Sequence, residues 1–397
     1  MKKYFLNCLI LVISFFCILH AKGQTVPAAP KASYKIAVFA PLYLDSVFNS
    51  NNNFRYTQGI PRFMSPALDF IQGAQVALDS LVTQGNRVEA FIYDSKAYIK
   101  NVPFLIGNKK LDSMDLIIGS VRDDEYRQLA DFALDKKIPF ISATYPNDAG
   151  ITGNPYLVIM NSTLKAHCDA IYTYLLQNHG TDKIYLFRQA GQQEDMVAGY
   201  FRQMNEPDGK PLLNIQTINA GTDLSAAFVK SKLDSNSNSV IIGGSLDENF
   251  ATNITGACNA IHKTYPVTLI GMPTWDGFTA LRKKNPDFLP VYYTTPYYNS
   301  KWDMYSKMVM SAYTKKYKGK PGDMAFKGFE AVYLFTKLLL KYPEDFMNHL
   351  NDPGLKIINE YNFRAVSLKK ESGTTDYYEN KHLYFIKIQN GVASRAW

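Results

Sequence analysis

Apolar residues along this chain gather in short runs of three to five, and most runs are separated by a stretch in which apolar positions recur every three or four residues. The passage Asp115 to Pro146 shows the unit most clearly. Leu116, Ile117 and Ile118 form a run closed by Gly119, Tyr126, Leu129, Phe132 and Ala133 recur at helical spacing, and Ile138, Phe140 and Ile141 open the next run. A run, a turn, an amphipathic helix and a second run make one parallel βαβ unit. Parallel sheets carry their ligands beyond the carboxyl ends of the strands, which points to Ser120–Glu125 and Ser142–Tyr145 as the functional stretches.

The same rhythm predicts strands at Tyr34–Pro41, Val88–Tyr93, Tyr156–Met160, Lys183–Phe187, Asn214–Ile218, Val240–Gly243, Val267–Gly271 and Val291–Thr295, with a helix in nearly every gap. Ser65 and Pro66 open the first long helix, Phe70, Ala74, Ala77, Leu78 and Leu81 line its buried face, and Gly85 ends it. The fold class is therefore α/β, with two Rossmann-like lobes, each a parallel sheet flanked by helices, because about ten strands are too many for one comfortable domain. Turn-rich passages suggest where the chain changes lobe: Asn147–Pro155, the proline-bounded run Val291–Thr295, and Asp352–Gly354. These divide the chain into a linker at 24–33, a first lobe at 34–146 and 292–345, and a second at 147–291 and 346–397. Asn362–Val366 and His382–Ile388 alternate as antiparallel strands at the end.

Ahead of the first strand, Lys2 and Lys3 precede an apolar stretch from Tyr4 to Leu19, and Ala21 and Gly23 supply small residues for cleavage before Gln24. The stretch is short for a membrane span, so residues 1–23 read as a secretory signal and the mature chain has no transmembrane segment. Phe15 and Phe16 stand before Cys17, where a lipid-attachment signal has small residues. The chain's formal charge of +8 falls to +5 when residues 1–23 are removed, and the remaining lysines are scattered at helix ends and turns, which argues against nucleic acid as a partner. Cys168 and Cys258 fall in amphipathic helices and read as buried free thiols. HExxH, GxSxG, GxxxxGK[ST] and GxGxxG motifs are all missing, and the histidines never pair at a metal-ligand spacing, so no motif calls for an enzyme, a metal or a cofactor.

The order of elements, the GS turn after DLII, the segment IPFISATYP, the strand and glycines of IIGGS, the helix FKGFEAVYLFTKLLLK and the closing hairpin resemble the type I periplasmic binding proteins, most of all their leucine/isoleucine/valine-binding branch. That resemblance implies two lobes joined by a three-segment hinge, a periplasmic location, and closure on a small polar ligand, an amino acid or similar, for an ABC permease or a membrane sensor. Ser142, Ala143 and Thr144 match the segment whose backbone N–H and hydroxyl groups approach a ligand carboxylate in the family, with Ser120 in the preceding turn. The chain departs from the pattern at Arg122, Asp123, Asp124 and Glu125, where the family places hydroxyls. These acids are either first-turn residues favoured by the helix dipole or, at Asp124, an acceptor for a cationic or polyol ligand. Tyr43, Tyr145, Trp275 and Tyr297 are aromatic candidates for the cleft or for packing, among 27 tyrosines and 24 phenylalanines. Glu194 and Asp247 follow strands of the second lobe, where the resemblance suggests a partner for a ligand ammonium; a helix N-cap is the other role open to Asp247. Asp45–Met64 is a long insertion at the cleft mouth, a lid or a protein-binding surface. The altered turn and the insertion leave a second reading open: an envelope interaction protein of the same fold that has lost its pocket, as in the outer-membrane activators of peptidoglycan synthases.

Overall fold

The computed structural model describes residues 33–221, 223–368 and 373–397. The signal sequence, its cleavage site and Cys17 lie outside them. Among the described residues the strands form two seven-stranded sheets, each mostly parallel and flanked by helices, so the architecture is the two-lobed α/β fold that the periodicity predicts.

The first sheet is built around β1 (Tyr34–Ala40), which pairs in parallel with β2 (Val88–Asp94) on one side and β3 (Leu116–Gly119) on the other. Next come β4 (Phe140–Ser142) and β5 (Leu157–Ile159). All of β3, β4 and β5 is buried, as expected of strands covered on both faces. One cover is a helix pair, Ser65–Thr83 against Asp323–Lys341. Two glycines allow their backbones to approach: a Cβ on Gly73 would stand 1.9 Å from the Ala325 carbonyl oxygen, and one on Gly328 2.0 Å from that of Phe70. The first helix starts one residue earlier than its sequence suggests, with Met64 as N-cap, and the Ser65 hydroxyl donates to the Pro61 carbonyl instead of capping.

The second sheet repeats the plan with β6 (Lys183–Arg188), β7 (Ile215–Asn219), β8 (Ser239–Gly243), β9 (Val267–Gly271) and β10 (Val291–Thr295). Late segments complete both sheets. β11 (Phe363–Val366) and β12 (Tyr377–Asn380) form an antiparallel pair that docks on β5, whereas β13 (Tyr384–Gln389) and β14 (Val392–Arg395) extend the other sheet from β10.

Sheet membership moves the lobe boundaries that turn chemistry suggests. β5 belongs to the first sheet and β10 to the second, and the 346–380 region stays with the first lobe. The crossings are residues 160–163, 296–298 and 381–383. The polar passage Asn147–Pro155 is a surface loop, held where Gly153 N and Asn154 N donate to the Asp376 side chain and carbonyl and Tyr377 Oη donates to Asp148. Glycine and proline mark any chain reversal, and a loop back into the same sheet uses the same residues as a crossing.

Candidate functional site

At the carboxyl edge of the first sheet, Ser120 follows β3 and Ser142, Ala143 and Thr144 lead out of β4. The side-by-side pairing of β3 and β4, with Gly119 opposite Ser142, brings the two loops together. The hydroxyls of Ser120 and Thr144 lie 2.9 Å apart. Ala143 N–H is taken by the Gly119 carbonyl and Ser120 N–H by that of Phe39, whereas Thr144 N–H has no protein acceptor among the described residues. Asn161, in the first crossing, donates to the Thr144 carbonyl at 2.7 Å, and Tyr297 Oη, in the second, donates to the Ala143 carbonyl at 2.6 Å. The segment that leaves β4 is thus tied to two of the three hinge strands.

The remaining first-lobe candidates separate into rim and core. Tyr43 stands just past β1 in the left-handed region (φ 55°), with its ring edge-on to Phe63 at 5.3 Å. Its loop is held by Asp94 at the end of β2, whose carboxylate accepts from Leu42 N, Tyr43 N, Leu44 N and Lys96 N. Tyr145 packs edge-on against Tyr126. Ser142 is fully buried, its hydroxyl has no partner among the described residues, and its carbonyl accepts from Met160 N within the sheet. Asp124 is exposed in the first turn of the helix Asp123–Lys136, between Asp123 (φ 58°), which is 3.3 Å from Arg122, and Glu125, which pairs with Lys96 at 2.7 Å. Three acids at a helix start complement its dipole.

In the second lobe the structure reassigns Trp275. Its indole is fully buried, lies against Gly243 and Gly271, and donates from Nε1 to the Ser245 carbonyl at 2.9 Å. It is a core residue beneath the ends of β8 and β9, not a stacking surface for a ligand. Signals from sequence could not separate the two roles, because a tryptophan after a strand is equally compatible with both. Glu194 is buried and accepts from the Ser245 hydroxyl at 2.6 Å, which ties the start of the Gln192–Asn205 helix to the end of β8. Asp247 is the N-cap of the Glu248–Ile261 helix and accepts from Phe250 N at 2.8 Å. Among the described residues neither acid bonds to a candidate of the first lobe.

Two features have no counterpart in the sequence reading. Glu330, 1% exposed on the Asp323–Lys341 helix, accepts from Asn359 N and Nδ2, each at 2.6 Å, and Asn359 Oδ1 in turn accepts from Tyr298 N in the second crossing. Burial raises the Glu330 carboxyl above its ordinary range, against the lowering effect of the Asn359 bonds. Near the third crossing, Glu379 accepts from Thr163 N and pairs with Lys381, and the Ser162 hydroxyl donates to the Asn380 carbonyl, so crossings one and three are stitched together. Hydrogen bonds between segments so far apart in sequence leave no periodic signal.

The insertion is ordered. A bridge joins Phe48 to Phe54, and Tyr98 N donates to Asp45. The rings of Phe48, Phe54, Tyr56, Phe63 and Tyr43 form a chain with centroid spacings of 5.3 to 6.3 Å. Half of Phe63 and three quarters of Ile99 face solvent.

Two sheets of this topology, three crossings and a polar edge on the side of the crossings define a hinged, two-lobed binding fold. The profile described as periplasmic binding protein matches residues 63–351, and the chain belongs to that family, whose members are solute-binding proteins that act outside the cytoplasm. The structure is similar to that of an ABC transporter substrate-binding protein from Desulfitobacterium hafniense in complex with Leu (14% identity, TM-score 0.59, covering 92% of this chain and 100% of that one). It is also similar to a branched-chain amino acid transporter substrate binding protein from Streptococcus pneumoniae in complex with isoleucine (17% identity, TM-score 0.51, 92% and 99%) and to a leucine binding protein from Thermotoga maritima (15%, 0.51, 92% and 98%). No curated protein sequence matches the chain. Among the described residues no helix is long and apolar enough to cross a membrane.

Proposed function

We propose that this protein is an extracytoplasmic receptor that closes its lobes on a small carboxylate-bearing solute, an amino acid or a close analogue, and presents the closed form to an ABC importer or a membrane sensor. Binding rather than catalysis is its task. The observation that carries this reading is the cradle at the ends of β3 and β4: two hydroxyls 2.9 Å apart beside a Thr144 N–H without a protein acceptor. Donors converging at strand ends suit an anionic oxygen. The structures similar to this chain include complexes with leucine and isoleucine, which supports the same ligand class. Export would follow cleavage before Gln24, and N-terminal sequencing of the mature chain tests that step.

The test of binding is a thermal-shift and X-ray scattering series with the twenty L-amino acids on protein refolded to remove co-purified solute. A binder should raise the melting temperature and reduce the radius of gyration. Thr144→Val should weaken it roughly 5- to 150-fold while leaving the unliganded melting temperature nearly unchanged. Absence of any shift or compaction across the series would refute amino-acid reception. Weight would then pass to the envelope interaction protein, the reading that the exposed aromatic chain of the insertion favours.

A further inference from the structure

Lys327 lies in the second turn of the helix Asp323–Lys341, whose position is fixed with little freedom. Asp69 accepts from Ala325 N at 3.0 Å, and the glycine contacts at Gly73 and Gly328 hold this stretch against its neighbour helix. Ala325, Phe326, Gly328 and Phe329 around it are buried in the first lobe. The Lys327 side chain leaves that core toward the second crossing, where its ammonium lies 4.3 Å from the centroid of the Tyr297 ring. The hydroxyl of that same ring is the donor to the Ala143 carbonyl.

The ammonium has neither a hydrogen-bond acceptor nor an ion-pair partner among the described residues. Two carboxylates act on it from a distance, Asp323 on its own helix and Asp276 of the second lobe. Asp276 is already engaged by Arg282 and by Tyr293 Oη, each at 2.6 Å. Its close neighbour Tyr297 belongs to the second crossing and bonds to the Ala143 carbonyl, which places the ammonium at the hinge beside the cradle. Burial depresses the Lys327 ammonium, and the Tyr297 ring is the close partner it has among the described residues. On the other side of the cradle the residues after Ser120 are Arg122 and three acids, with Arg122 turned onto Asp123. Lys327 is thus an unpaired cation beside the cradle, whereas Arg122 is largely solvent-exposed.

We propose that Lys327 is a ligand-binding residue of the cleft, holding the acidic group of the solute from the side opposite the Ser120 and Thr144 donors. This rests on the receptor reading above and narrows it: the solute must present an anion near Tyr297, and esters or amides of it are rejected.

The test is calorimetric titration of wild type and Lys327→Met with the twenty L-amino acids, then with the carboxamide of the tightest binder. The expected result is a roughly 10- to 150-fold weaker acid in Lys327→Met, with the acid-over-amide preference of the wild type largely erased. Lys327→Arg should retain most of that preference. Equal acid affinity in wild type and Lys327→Met overturns the role of Lys327 and leaves the receptor reading intact. A wild type that binds acid and amide equally also overturns it, and needs no variant to fold. If no amino acid binds the wild type, the receptor reading fails and this inference fails with it.

Discussion

Removing the Glu330 carboxylate tests whether the hinge is held by one buried polar residue. In Glu330→Ala two hydrogen bonds of 2.6 Å disappear, and both Asn359 N and Nδ2 lose their acceptors in a residue only 4% exposed. Each bond contributes about 1 kcal/mol net, and each stranded donor costs a further 1 to 3 kcal/mol or so, partly offset by no longer burying a carboxylate. The net loss should be about 2 to 5 kcal/mol, read as a lower urea midpoint at unchanged slope. The effect should be larger than that of Asn359→Ala, which keeps the backbone N–H bond to Glu330 and loses only the Nδ2 donor and the Oδ1 acceptor of Tyr298 N. Acidity supplies a second readout. Burial places the folded-state Glu330 value above that of the unfolded chain, so its contribution is fully present below the ordinary glutamate range and is lost as pH rises through the raised value. Glu330→Gln should lack that segment of the stability profile. A midpoint shift of under about 1 kcal/mol in Glu330→Ala, with an unchanged pH profile, would show that the crossings are held by something else.

Gly271→Ala would place a Cβ 2.1 Å from the Trp275 ring, so the second lobe should lose roughly 1 to 3 kcal/mol or more in thermal or urea unfolding. Asp247→Ala removes the acceptor for Phe250 N and should cost about 1 kcal/mol, with Asp247→Asn close to wild type in the same assay. Cys168 and Cys258 are free and fully buried, and burial raises both thiols, that of Cys258 to about 12. Ellman's reagent at pH 8 should therefore leave both unmodified in the native protein and titrate both in denaturant.

The sheets were legible because their strands are buried on both faces: LIIG, SVIIG and VTLIG read as apolar runs wherever they lie. β12 and β14 escaped. YYEN and VASR carry no apolar run, and they become strands because β5 and β13 offer them an edge. In the candidate site, Ser120 and Thr144 could be placed because each follows a strand directly. Lys327 and Glu330 could not, since both sit in an apolar helix whose face toward the crossings is set by the glycine contacts at Gly73 and Gly328. Trp275 shows the converse limit. Proximity to a strand end says where a residue attaches, and its direction is decided by two glycines, Gly243 and Gly271, that make room for an indole below the sheet edge.

The late strands also constrain how the chain is made. β5 waits for β12 and β10 for β13, so both lobes keep an open edge until residues 377–389 have been synthesised. A chain interrupted before that point presents two unpaired strands at once, one per lobe, each with a full row of amide donors and acceptors. Residues 377–389 therefore act as a double seal. Until residues 377–389 are in place, those two edges are free to pair with each other or with a neighbouring chain.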